Sequence, residues 1–300
     1  MMRPLGKKRA QSPSQNVLRE STALLDTSLG SVYDSLYRLH KIPHVCSPAS
    51  EVIPRVLVIA EEILISTGYR IEEETVFRFV DTFQEVTVLD LLELRVLPAA
   101  LKLVLLECLV NNADTRSGSS EVERLISDCL ESLRRINRIP WRQLIEPLIA
   151  FDSYLEQDPT CAYGRMDTES RDLYRNEVAN IADRSDVSEL EVARAALELA
   201  QRADRATYQD PRLAKRVSHI GYYLVAEGAA PLKRKVGFHP SLGHRLTNFI
   251  KAHPDDLYLS SIAFLTITIA VTVISLSSFD YWSFPTYLLL LLLLLLPCSE

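Results

Sequence analysis

The residues of this chain best equipped for chemistry concentrate in one run, Asp158-Pro159-Thr160-Cys161-Ala162-Tyr163-Gly164-Arg165-Met166-Asp167, followed at once by Thr168-Glu169-Ser170-Arg171-Asp172-Leu173-Tyr174-Arg175. Asp167 or Thr168 makes a good helix N-cap, and a helix begun there carries Arg171, Tyr174 and Arg175 on adjacent faces at three- and four-residue steps. Arginine presents a forked set of donors, so such a cluster can grip a carboxylate or a phosphate. The same side chains can equally form a charged network that pins the loop to its domain. Both readings are open at the level of sequence.

Elsewhere the patterns of catalysis are missing. Metal-assisted transfer from a nucleotide sugar needs an Asp-x-Asp or equivalent carboxylate pair to neutralise the diphosphate leaving group, and no Asp-x-Asp occurs. There is no glycine-rich phosphate loop, no His-Glu-x-x-His and no Gly-x-Ser-x-Gly. His40 and His44 are four apart, but Pro43 between them spoils a helical ligand pair. The sequence therefore assigns no catalytic, cofactor-binding or metal-binding residue. The five cysteines are odd in number and lack CxxC spacing, which reads as buried free thiols in a reduced cytoplasmic setting. A net charge of -6 without a concentrated basic face argues against a nucleic-acid partner.

The elements that must position the run read as helices throughout. Leu18, Leu25, Leu29, Val32, Leu36 and Leu39 recur at helical steps from Val17 to Leu39, after which Pro43 and Pro48 break the chain. A second helix is expected from near Pro54 to a turn at Gly68, and a third over Glu72 to Phe83. Val86 to Asn112 is apolar enough to suggest a membrane span. Asp90, Glu93, Arg95, Lys102 and Glu107 interrupt it, each at a cost of about 2.5 to 3.5 kcal/mol near a bilayer midplane, so a core hairpin is expected. Thr87 with Asp90 resembles a capping box for it, and Pro98 would begin its second helix.

Beyond the Gly- and Ser-bearing linker at 114–120, a helical stripe runs from Val122 to Leu133, and Pro140 and Pro147 break the chain around Trp141. Ser188 and Glu191 form a capping box for a helix through Leu199. Pro211 opens another helix, which Gly228 should end. No alternating strand pattern of useful length is found.

Two apolar blocks follow. Leu259 to Leu276 carries no charge and would cover about 27 Å as a helix, near the roughly 30 Å hydrocarbon thickness. The second, from Trp282 to Leu296, covers about 22 Å, which is short for a span. Lys233, Arg234, Lys235, Arg245 and Lys251 precede the first block and no basic residue follows, which places the N-terminal region in the cytoplasm. No apolar h-region follows Arg3, Lys7, Lys8 and Arg9, so no cleaved signal peptide is expected.

The expected fold class is accordingly all-α, a multi-helix cytoplasmic region followed by two transmembrane helices, the second short or truncated. Its expected parts are a disordered basic tail (1–15), a helical subdomain (16–113), a linker (114–120), a second helical subdomain (121–236), a juxtamembrane segment (237–258), and spans at 259–277 and 282–296. The expected setting is the bacterial inner membrane, multi-pass, with the lipid bilayer as a partner.

The stretch from Asp158 to Ala182 resembles the Asp-Pro, Tyr-x-Arg-Met-Asp and Thr-Arg-Asp-x-Tyr-Arg pattern of cyclic β-1,2-glucan synthases. Ser188 to Ala200 and His219 to Gly228 are similar to the next two elements of that family, and Gly68 to Glu107 to an earlier block, in the same order. The resemblance singles out Tyr163, Arg165, Met166, Asp167, Arg171, Asp172, Tyr174, Arg175, His219, Gly221, Tyr222 and Tyr223, with a structural or a binding role. Ser170 departs mildly from the family's usual Thr. The resemblance implies a large inner-membrane glycosyltransferase that polymerises glucose from UDP-glucose and cyclises the chains. This sequence would supply its non-catalytic N-terminal scaffold or regulatory part, truncated before the catalytic domains. UDP-glucose and a divalent metal would be bound only in the missing transferase domain, and the remaining synthase domains would be partners. The alternative is an autonomous membrane-anchored helical adaptor that binds a protein partner.

Overall fold

Helical periodicity governs the architecture, which the computed structural model describes for residues 21–39, 42–46, 51–113, 120–204 and 210–239, with Ser260, Ile262, Phe264, Leu265, Ile267 and Thr268 beyond. The long helices of the first half are α1 (Thr22–Leu39), α2 (Arg55–Ser66), α3 (Glu73–Gln84), α4 (Leu91–Ala113) and α5 (Ser120–Ile136). Short α6 (Trp141–Ile145) and α7 (Asp152–Leu155) lead to α8 (Thr168–Ala182) and α9 (Glu189–Asp204). Three short helices follow: α10 (Pro211–Val217), α11 (Ile220–Val225) and α12 (Ala229–Lys235). Residues through Phe238 make one compact unit, and His239–Glu300 a second.

The apolar run expected to fold as a hairpin forms a single helix instead, with Pro98 inside α4. Proline there removes the N–H that would reach the Leu94 carbonyl, a loss of about 3 kcal/mol. Burial outweighs it. Leu91, Leu94, Val96, Leu97, Leu101 and Leu105 are all nearly inaccessible, and each such side chain contributes about 1.5 to 3 kcal/mol. A helix apolar on every side must sit at the centre of its fold, and α4 packs against α1, α2 and α5.

Its buried charges are matched one by one. Glu93, 0% exposed, takes Arg55 Nε at 2.9 Å and the Asp90 backbone N–H at 3.0 Å. Lys102 Nζ donates to Ser31 Oγ on α1 at 3.0 Å. The expected capping role of Thr87 goes elsewhere: the first N–H groups of α4 are met by Glu93 and, at 2.8 Å, by Glu189.

Three further expectations are corrected. Strands β1 (His44–Cys46) and β2 (Val52–Pro54) pair antiparallel, so the unit is not purely α-helical. They are too short to show alternation. The helix expected from Pro211 to Gly228 is divided at Ser218 and His219, and Gly228 precedes α12. No helix among the described residues is long and apolar enough to cross a membrane, which overturns the two transmembrane helices. Of the block 259–277 only six positions are described, where Thr268 Oγ1 bonds back to the Phe264 carbonyl at 2.7 Å. The block 282–296, the tail 1–15 and most of the juxtamembrane segment lie outside the described residues, as does His40.

Candidate functional site

The Asp158-to-Asp167 run folds as a loop closed by its own carboxylates. Asp158 Oδ2 accepts from Thr160 Oγ1 at 2.5 Å, from the Ala162 N–H at 3.1 Å and from His219 Nδ1 at 3.0 Å. Its Oδ1 takes the Ile220 N–H at 2.9 Å. That N–H is one of the unpaired donors at the start of α11, so the loop caps a helix 62 positions away. Burial alone would raise the Asp158 pKa. The bonds from His219, Thr160 and the two N–H groups outweigh it and bring the carboxyl down to about 2.

At the loop's far end Asp167 accepts from the Ser170 N–H at 2.7 Å, the expected N-cap of α8. The helix then turns Tyr174 and Arg175 inward. Tyr174 hydroxyl lies 2.9 Å from His219 Nε2, and its ring stacks on Tyr163 with centroids 6.1 Å apart. Gly221 makes this approach possible, because a Cβ there would overlap the Tyr174 hydroxyl and stand 2.8 Å from His219 Nε2.

Arg175 is 1% exposed. Its Nε shares both Asp152 oxygens at 3.1 Å, and its Nη2 binds Asp152 again and Glu146 at 2.9 Å. Nη1 reaches Asp172 at 3.2 Å. Burial works against the guanidinium charge, but the bonds to Asp152 and Glu146 prevail and raise its pKa. Tyr163 donates to Asp152 at 2.9 Å, and burial followed by the Asp152 charge raises the phenol's pKa. Arg171 joins through Glu146 at 3.2 Å and the Gly164 carbonyl at 3.2 Å, while its Nε is buried without an acceptor among the described residues.

The structure thus brings Tyr163, Arg171, Asp172, Tyr174, Arg175, His219 and Gly221 into one network. Met166 packs against the core, and Asp167 works as a cap. Arg165 is exposed. Tyr222 and Tyr223 form a separate edge-to-face pair with centroids 5.2 Å apart. Sequence reasoning missed Glu146 and Asp152, which lie 29 and 23 positions before their arginine with no shared spacing. A buried arginine implies carboxylate partners, but does not say which.

A cleft of about 730 Å3 opens beside this network, walled by Arg38, Asp90, Arg95, Asn176, Asn180 and Glu189. An adjoining hollow of about 450 Å3 shares Arg38, Arg95 and Asn176 and adds Trp141 and Arg142. Arg95 Nη1 donates to Asn176 Oδ1 at 2.5 Å, and Arg142 pairs with Asp172. Burial raises Glu189 to about 7, although the Leu91 N–H it accepts acts in the other direction. A carboxyl poised near neutrality suits proton transfer. The described cleft pairs it with a helix terminus, and Arg95 beside it is already engaged with Asn176 and Asp172.

No family model matches the sequence. Over 177 residues the chain is 27% identical to cyclic beta-(1,2)-glucan synthase NdvB of Rhizobium meliloti (strain 1021). The match takes in 58% of this chain and 6% of that protein's length. The chain is therefore distantly related to a cyclic β-1,2-glucan synthase.

Proposed function

We propose that the unit ending at Phe238 is a non-catalytic scaffold or regulatory part of a protein acting in cyclic β-1,2-glucan synthesis. The observation that carries this reading is the inward use of the motif's charged groups. Arg175, the side chain best suited to hold a phosphate, is buried and bonded to three carboxylates. Asp158 and His219 hold a loop to a helix. These contacts describe a clamp that fixes α8, α11 and the intervening loop as one body. The distant relationship to a glucan synthase supplies the process. On this reading UDP-glucose and a divalent ion are handled by other domains, with which the helical unit packs.

The test has two arms. The purified chain is incubated with labelled UDP-glucose and a magnesium salt, where neither retention nor glucosyl transfer is expected; turnover would end the non-catalytic reading. In a synthase of the Rhizobium type whose matching segment is replaced by the one from this chain, glucan output should persist, and the Arg175→Met version should lose it together with enzyme abundance. Undiminished output with the matching segment deleted outright would show that no scaffold is needed.

A further inference from the structure

Helices α4 and α5 each bring one cysteine to their shared seam. Cys129 is fully buried and Cys108 half-buried, and both are free thiols. Their sulfurs lie 3.8 Å apart, with the Cys129 thiol donating to Cys108 Sγ. Asn112 Nδ2 stands 3.7 Å from the same sulfur. Two donors converging on one sulfur favour its thiolate. The pair divides accordingly: the bond from Cys129 lowers the pKa of Cys108, and the same bond, with burial, raises that of Cys129.

We propose that Cys108 and Cys129 form a redox-active dithiol that a hydroperoxide converts to a disulfide. Cys108 thiolate attacks one peroxide oxygen, the O–O bond breaks, and the products are Cys108 sulfenic acid and hydroxide, or alkoxide from an organic peroxide. Cys129 sulfur, already in contact, then attacks the sulfenic sulfur. The S–O bond breaks, the S–S bond forms, and the Cys129 proton leaves with the hydroxyl group as water. Two sulfurs give up two electrons in all, and one peroxide accepts them. The new bond would tie α4 to α5 across 21 positions of sequence, locking the central helix to its neighbour. This assignment is independent of the scaffold role, since none of Cys108, Asn112 and Cys129 belongs to the Arg175 network.

The full chain is treated with hydrogen peroxide, quenched with an alkylating reagent and digested without reductant for mass spectrometry. Expected is a Cys108–Cys129 linked peptide pair lighter by two hydrogens, with Cys108 consumed roughly tenfold faster than exposed Cys46 or Cys161. Cys129→Ser should halt the sequence at a Cys108 sulfenic acid that dimedone traps, and Cys129→Ala serves if the serine variant melts early. Consumption of Cys46 or Cys161 ahead of Cys108, or Cys108 and Cys129 still alkylated separately after the exposed thiols are spent, would overturn the proposal.

Discussion

Replacing Arg175 by Met keeps the length and apolar stem of the side chain and removes only its charge and donors, so the loss reads the network rather than a cavity. Arg175 holds Asp152 through Nε and Nη2, Glu146 through Nη2 and Asp172 through Nη1. Of these, Asp152 suffers most, because its carboxylate is only 11% exposed and keeps just the Tyr163 hydroxyl at 2.9 Å. Breaking a buried pair by removing one partner costs about 3 to 5 kcal/mol. Glu146 and Asp172 are 30% and 20% exposed, and Asp172 retains Arg142, so they add little. We expect Arg175→Met to lower the unfolding free energy by about 4 kcal/mol in urea titrations followed by far-ultraviolet circular dichroism. A second change, Asp152→Asn, removes the stranded charge and leaves an oxygen for Tyr163, so the double variant should recover about 2 kcal/mol. The comparison is Arg78→Ala at the exposed pair with Glu74, expected to cost under about 0.5 kcal/mol. A loss below about 1 kcal/mol for Arg175→Met, or no recovery in the double variant, would refute the clamp.

Three other outcomes follow from the same geometry. Asp158, held near 2 against an ordinary 3.8, contributes stability that is complete above pH 4 and fades as pH falls toward 2; Asp158→Asn should lose about 2 kcal/mol at pH 7 and flatten the acid limb of stability against pH. Glu189 has the opposite sign: with its carboxyl raised to about 7, the fold favours the protonated form, and the advantage is lost as pH rises from 4.5 through 7. Glu189→Gln should therefore gain up to about 3 kcal/mol over wild type at pH 8 and nothing at pH 4, read from urea midpoints. Gly221→Ala must push Tyr174 from His219 and should cost about 1 to 3 kcal/mol, whereas Gly164→Ala, with open space around it, should shift the melting temperature little.

Much of the helical framework was legible in the sequence because its signals are local. Asp167 and the Ser188–Glu191 box act three residues away and cap their helices as read, with Glu191 Oε2 2.8 Å from the Ser188 N–H. Apolar spacing located α2, α3 and α5 to within a few residues. What failed depended on distant partners. Pro98 is a break in isolation, but three neighbouring helices hold α4 together through it. His219 stops one helix and starts the next because Asp158, far upstream, takes the Ile220 N–H. The grouping of Arg171, Tyr174 and Arg175 was visible, while their carboxylate partners were not, since ion pairing leaves no periodicity. The apolar blocks were judged on length and charge alone, and among the described residues they yield no helix long enough to span.

The bond from Asp158 to Ile220 has a kinetic consequence. Closing a loop of 62 positions costs about 4 kcal/mol of entropy that no local helical hydrogen bond repays, and the contact means nothing until α8 and α9 have packed. Such a contact forms late on the way to the native state and breaks early on the way out. It should therefore act on the lifetime of the folded unit more than on the speed of reaching it. For Asp158→Asn this means a chevron plot whose unfolding arm rises while the folding arm stays nearly in place, with the loop serving as a latch on an assembly that local helix signals have already built.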